Sequence, residues 1–433
     1  MLTAKVREQN YGLGRHWQLY VALSRFWLLP TLTPRNFFPM KWASVVETDS
    51  SLESATERAA AGIFKELDRR EPDLVIAFIS REHSAQFEVF PELLAREFES
   101  AFVVGCCGDG VIGGGKEVEN HPALALTAAV LPEVQIFGTH LESSQLPPVY
   151  AERSLWEDAL RVRAADKPQF LVFGDPFSFD ENYLQGLDRA YPHSRKVGGL
   201  ASGGKHAGST ALYLGKRMHR SGVVTLALTG NIQIDPIVAQ GCRPIGEPMF
   251  VTAAHENLIR ELDGRMPRDV LADVFEKLDA DDRELFSQAL ALGLAIAPGR
   301  SEYAPGDFLV RTVLGMDPQS GALWVNGQMK EHGVVQFHVR DAAASAQDLE
   351  RSLVAYQSAA RRASPSAALL FSCHGRGATL YGQADHDSNA FRRVIGDVPV
   401  GGLFCSGEIG PLQNTTFLHS HSSSFGAIRP LFE

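Results

Sequence analysis

Residues 103–110 read VVGCCGDG, residues 196–204 read KVGGLASGG and residues 400–408 read VGGLFCSGE. Each is a short apolar run that closes on glycines, and their first turn glycines, Gly105, Gly198 and Gly401, are separated by 93 and 203 residues. A continuous apolar run of this length bounded by turn residues reads as a buried strand. Upstream of each lies another such run: LVIAFIS (residues 74–80), FLVF (170–173) and ALLFSC (368–373). Helical periodicity separates the members of each pair, over residues 87–100, 182–190 and 388–395. Strand-like segments follow at 123–131, 223–228 and 416–419. One supersecondary unit therefore recurs, and the expected architecture is α/β: layered sheets with flanking helices built from repeated strand-helix-strand units.

The second interval is close to twice the first, so a degenerate fourth unit is expected in the gap, where LGLAIA (292–297), FLVRTVLG (308–315), ALWVNG and VVQFHV are strand-like. A domain seam is placed at GCRPIGEP (241–248), before helical stretches at 256–262 and 268–278. This divides the chain into fused domains over residues 40–250 and 251–433. Regular alternation begins at Met40 with KWASVVE, so residues 1–39 read as an extension outside the fold, consistent with an overlong start assignment. Its apolar stretch WQLYVALSRFWLLP (17–30) is too short to span a bilayer and is interrupted by Arg25.

The chain has 433 residues, 45% hydrophobic and 21% charged, and a net charge of −10 without a dense basic run. That leaves no electrostatic footprint for nucleic acid or an anionic membrane surface. Five cysteines, Cys106, Cys107, Cys242, Cys373 and Cys405, are odd in number and scattered through apolar or glycine-rich strands. They fit a reducing cytoplasm, not a disulfide framework.

The glycine turns invite a phosphate-loop reading, since residues 199–205 and 110–116 both fit G-x-x-x-x-G-K. His206 and Glu117 stand where such a loop needs Ser or Thr, and strands follow in place of a helix, so the glycines read first as sites of close backbone approach. Their amides could still cradle a small carboxylate. Cys373-His374-Gly375-Arg376 closes the third copy's first strand, where α/β proteins place ligands, and Arg376 offers a planar fork for an anion. Cys373 reads either as a buried small hydrophobe or as a soft reactive neighbour; His374 points to the other face of the strand and should not activate it. Cys405, Glu408, His419 and His421 gather around the third turn, with both histidines on one strand face, but no metal-ligand spacing accompanies them and no metal or other cofactor is expected. Asp175 and Asp180 read as caps of the helix that follows.

GGLFCSGEIGPLQNTTFLHSHSSSFGAI (401–428) resembles the G-E-I-G-P and T-F-L-H-x-H pattern of the FIST family, FSCHGRG (371–377) its cysteine-glycine-arginine strand end, and LIRELDG (258–264) its domain-joining segment. LVIAFIS, VVGCCGDG and VGGLASGG resemble its N-terminal domain. The resemblance covers about residues 40–430 and implies a sensory, ligand-binding role in signal transduction, with amino acids or similar carboxylates as ligands and a signalling protein as possible partner. Carried over residue by residue, it touches Cys373, Gly375, Arg376, Gly402, Gly407, Glu408, Gly410, Pro411, His419 and His421. Cys106, Cys107 and Asp109 depart from the small-residue turn of the family. The binding site is accordingly expected at Cys373, Arg376, Gly402, Cys405, Gly407, Glu408, His419 and His421. The alternatives are a cysteine-dependent hydrolase or transferase using Cys373 or Cys405, and a protein-interaction module without a ligand.

Overall fold

A computed structural model describes residues 39–300, 302–304, 306–359 and 364–432. The extension read over residues 1–39 lies, except for Pro39, outside the described residues.

Each unit follows one path. In the first, strand Lys41–Thr48 is followed by helix Leu52–Glu66, central strand Leu74–Ser80, helix Phe90–Glu97 and the glycine strand Phe102–Gly108. The chain then leaves as a hairpin, Gly110–Gly113 with Lys116–Glu119, and returns as Ala123–Val130, which inserts between the first and central strands. The second unit repeats this with Val134–Leu141, Gln169–Gly174, Lys196–Leu200, the hairpin Leu212–Leu214 with Arg217–His219, and the return strand Val223–Gly230. The third uses Gln233–Gln240, Ala367–Cys373, Val400–Cys405, the hairpin Glu408–Leu412 with Thr415–His419, and the return strand Ser422–Arg429.

The hairpins are exchanged in a ring. The first pairs with the third unit's glycine strand, the second with the first unit's, and the third with the second unit's, completing three six-stranded sheets. No unit completes its sheet alone, so the three fold as one body. At its centre Phe78, Phe173 and Phe371, one from each central strand, form a triangle with ring centroids 5.8, 6.4 and 6.1 Å apart. Edge and tilted contacts at this spacing suit the ring quadrupoles.

The register also explains the glycines. Gly105, Gly198 and Gly402 lie opposite Ala77, Val172 and Leu370 of the parallel central strands. A Cβ at these positions would fall 1.8, 1.9 and 1.8 Å from the carbonyl oxygens of those partners. Close approach forbids any side chain there, and Gly402, not Gly401, is the third counterpart. Other helix starts follow local chemistry: the Ser51 hydroxyl accepts the Ser54 amide at the head of Leu52–Glu66. Asp180 accepts the Asn182 amide at 2.9 Å as that helix begins. Asp175 does not cap it. Its carboxylate takes the hydroxyls of Thr210 and Ser178, each at 2.6 Å, and so joins two loops.

Among its described residues the long gap holds no fourth unit. Between Gln233–Gln240 and helix Ala342–Ala359 the chain builds a closed barrel of Cys242–His255, Leu258–Leu262, Leu323–Val325, Phe308–Met316, Leu290–Ala295 and Val334–Arg340. The strand-like segments were read correctly as strands, but they pair with one another antiparallel and lack the glycine strand of a unit. Residues 256–262, expected to be helical, form half of a barrel hairpin, because Ile259 and Leu262 point into the barrel core. The helix expected over 268–278 is present as Pro267–Lys277. Residues 416–419 belong to the exchanged hairpin, and the third unit's return strand is Ser422–Arg429.

Candidate functional site

Three superposable registers show where one unit departs from the others. Val111 lies opposite Leu403, Leu212 opposite Cys106 and Glu408 opposite Gly199, each one residue beyond the close-approach glycine. Val111 and Leu212 are fully buried apolar residues, so the fold asks for nothing polar here. Glu408 is equally buried. A carboxyl group taken from water costs several kcal/mol unless it is well partnered. Glu408 is half partnered: Oε2 accepts the Ser422 amide at 3.1 Å and its hydroxyl at 2.8 Å, while Oε1 is buried without a hydrogen bond. Burial pushes its pKa up to about 8, against the Ser422 hydrogen bonds and the charges of Arg376 and Arg340.

Arg340, the last residue of barrel strand Val334–Arg340, brings a cation to the same cluster. Its Nε and Nη2 are buried without hydrogen-bond partners. Its guanidinium lies against the turn after Cys373, where a Cβ on Gly375 would fall 2.5 Å from Nη1. His421 adds a third orphan: Nε2 pairs with the Thr312 hydroxyl at 3.0 Å, and Nδ1 is buried without a partner. Burial, then the charges of Arg340 and His374, depress its pKa to about 4, so the ring is neutral. Its φ of 61° is left-handed, a conformation that costs a non-glycine residue about 1 kcal/mol or more and concentrates at functional sites. Cys373 sits among these groups. Burial and Glu408 push its thiol up to about 12, against Arg340 and backbone hydrogen bonds from Gly375 and His421.

The other expected site residues have structural duties. Arg376 is fully buried, and the fork read as a ligand clamp is closed on Asp387: Nε and Nη2 donate to its two oxygens at 2.8 and 3.0 Å. Nη1 donates to Ser345 at 2.6 Å and the guanidinium lies 5.5 Å from the Tyr381 ring. Burial raises Asp387, but Arg376 and the His386 and Arg376 hydrogen bonds outweigh it and hold the carboxyl well below its usual range. Several of the turn amides are also occupied. Leu200 donates to the Gly407 carbonyl at 2.8 Å, Cys107 to Ala211 at 2.9 Å and Asp109 to the Ser202 hydroxyl at 2.7 Å, so the turns bind one another. Gly402 is fixed by close approach to Leu370, as above.

His419 and His421 do not share a strand face, because the strand ends at His419 and His421 lies in the following turn. The buried His419 directs Nε2 at the Gly410 carbonyl, 3.0 Å away, and burial lowers its pKa to about 4. Cys405 faces its own strand at the Leu403 carbonyl, and burial drives its pKa well up. Among the described residues no histidine ring nitrogen hydrogen-bonds to Cys373 or Cys405, so neither thiol has a hydrogen-bonded imidazole base. His374 is half exposed, with Nδ1 3.5 Å from Asp109 Oδ2. Arg340 and Thr312 come from the barrel and carry no motif; an arginine ending an apolar strand was the one available signal.

This is a three-unit α/β body with a barrel inserted in its third unit and a buried, incompletely partnered polar cluster at their junction. The FIST N domain matches residues 73–265 and the FIST C domain residues 267–411. An uncharacterized protein of Mycobacterium tuberculosis is 34% identical over 380 residues, covering 88% of this chain and 97% of its own. One of Mycobacterium bovis is 33% identical over 382 residues, covering 88% and 96%. The chain belongs to the FIST family, whose domains are associated with sensory and signal-transduction proteins. Among solved structures, a cyanuric acid hydrolase from A. caulinodans aligns over 90% of this chain and 99% of its own at 9% identity and a TM-score of 0.35, a likeness too slight to carry an argument. No helix among the described residues is long and apolar enough to cross a membrane.

Proposed function

We propose that this protein is a cytoplasmic sensory protein of signal transduction that binds a small carboxylate-bearing metabolite, an amino acid or close relative, in the cluster of Glu408, Arg340, His421 and Cys373. The observation that carries the reading is Glu408 itself, a buried acid with a free oxygen in a position where the other two units place Val111 and Leu212. The unpartnered edge of Arg340 suits a ligand carboxylate, and Glu408 Oε1 suits a donor such as an amine on the same molecule. An incoming ammonium would favour the ionised form of Glu408. His421 Nδ1 and the Cys373 thiol would line the remaining wall. Five free cysteines support a reducing compartment, and recruitment of a signalling partner is the expected output.

The test is isothermal titration of the full chain with each common L-amino acid and with the corresponding keto acids. Binding of one class, lost in Arg340→Ala and retained in Arg376→Lys, supports the site. Absence of binding across both sets, or binding indifferent to Arg340→Ala, removes it.

A further inference from the structure

The atoms that would meet a ligand are buried: Glu408 is fully buried, Cys373 is 7% exposed, and Glu408 Oε1, Arg340 Nε and Nη2 and His421 Nδ1 are covered although Arg340 and His421 are only half-buried as residues. The barrel supplies part of the cover, since Arg340 ends one of its strands and Thr312 of another stands 3.0 Å from His421. Arg340 and Cys242 end the two barrel strands that join the body, and they pair with each other, so the connection is a two-stranded neck beside the site. Gly241 sits in that neck, where a Cβ would fall 2.1 Å from the His421 carbonyl and 3.1 Å from Arg376 Nη1. Beyond the neck the barrel is a separate object. Its apolar core, built on Ile245, Ile259, Leu292, Leu323 and Phe337, is a cluster of its own and is not continuous with those of the body.

Polar contacts seat it. Arg311 donates to Glu181 at 2.7 and 3.2 Å and to the Leu418 carbonyl at 3.1 Å, and Thr312 meets His421 at 3.0 Å. A rigid barrel on a narrow neck, held by a few hydrogen bonds and no shared apolar core, opens at lower cost than the sheets beneath it.

We infer that the barrel is the lid of the ligand site: it swings on Gln240–Gly241 and Asp341, where its two strands leave the body, with the Arg311–Glu181 contact as its latch, and admits ligand when the latch releases. What it admits rests on the proposed function; the motion does not. Because Arg340 rides on the lid and Glu408 stays in the body, a ligand bridging them holds the lid shut, which is how occupancy would reach a partner.

The test uses the full chain without ligand. Native iodoacetamide labelling is followed at each cysteine by mass spectrometry, with the buried Cys373 reporting from beneath the lid and Cys106 from the sheet core. The expected result is faster labelling of Cys373 than of Cys106, accelerated about tenfold in Arg311→Ala while Cys106 is unchanged. Should Arg311→Ala fail to fold, Glu181→Ala removes the latch from the exposed side of the body. Equal rates at Cys373 and Cys106, or no acceleration of Cys373 in the latch variants, overturn the lid. No ligand is present, so this outcome and that of the titration are independent.

Discussion

Glu408 and Leu212 occupy the same register position in two copies of one unit, each on an exchanged hairpin and each beside a close-approach glycine strand. Leucine meets the demands of that position and glutamate exceeds them. The difference separates what the third unit does for the fold from what it does for a ligand.

The pH dependence of stability follows from the buried acids. Glu408 and Glu117 are both raised to about 8, so in the folded state they keep protons that the unfolded chain releases near its ordinary carboxylate value. Their contribution is present at low pH and lost as pH rises through about 8. His419 and His421, depressed to about 4, act in the opposite sense, adding stability as pH rises from about 4 to 6.5. Between about pH 6.5 and 8 only the acids remain in this set. Urea midpoints should therefore fall over that window, and Glu408→Gln should flatten part of the fall.

Removing Arg376 should be a stability lesion. Arg376→Ala leaves the buried Asp387 without its cation, and loss of one partner of a buried pair costs about 3–5 kcal/mol. Arg340→Ala, whose Nε and Nη2 make no hydrogen bond, should cost less than about 1 kcal/mol while abolishing ligand response. Chemical denaturation of both variants checks the contrast.

Gly402→Ala should prevent folding, since its Cβ would strike the Leu370 carbonyl 1.8 Å away and backbone cannot yield cheaply. The same change at Gly208, which has open space around it but a φ of 80°, should cost about 1 kcal/mol. Expression and circular dichroism distinguish the two.

The three units were legible because close strand approach leaves glycine no substitute, and buried strands leave a continuous apolar run. A fourth unit was expected because a barrel's strands carry the same apolar signal, and strand pairing is not written in any one strand. Glu408 was visible in its glycine-rich motif, yet nothing local said that only one of its oxygens would be satisfied. Arg376 was misread because its partner, Asp387, lies eleven residues on, just before the stretch read as helical, and nothing in the sequence links the two. Arg340 was invisible: it reaches the site only because the barrel strand that ends in it returns to the neck beside Cys242.

The central claim is that Glu408 is kept for a ligand and not for the fold. Thermal unfolding of the wild type and Glu408→Leu, each with and without the amino or keto acids that bind the wild type, tests it most directly. The expected result is a variant whose melting temperature without ligand equals or exceeds that of the wild type and which does not respond, where saturation at about 100 Kd stabilises the wild type by about 2.7 kcal/mol. A variant that melts well below the wild type without ligand, or that responds equally to it, would contradict the claim.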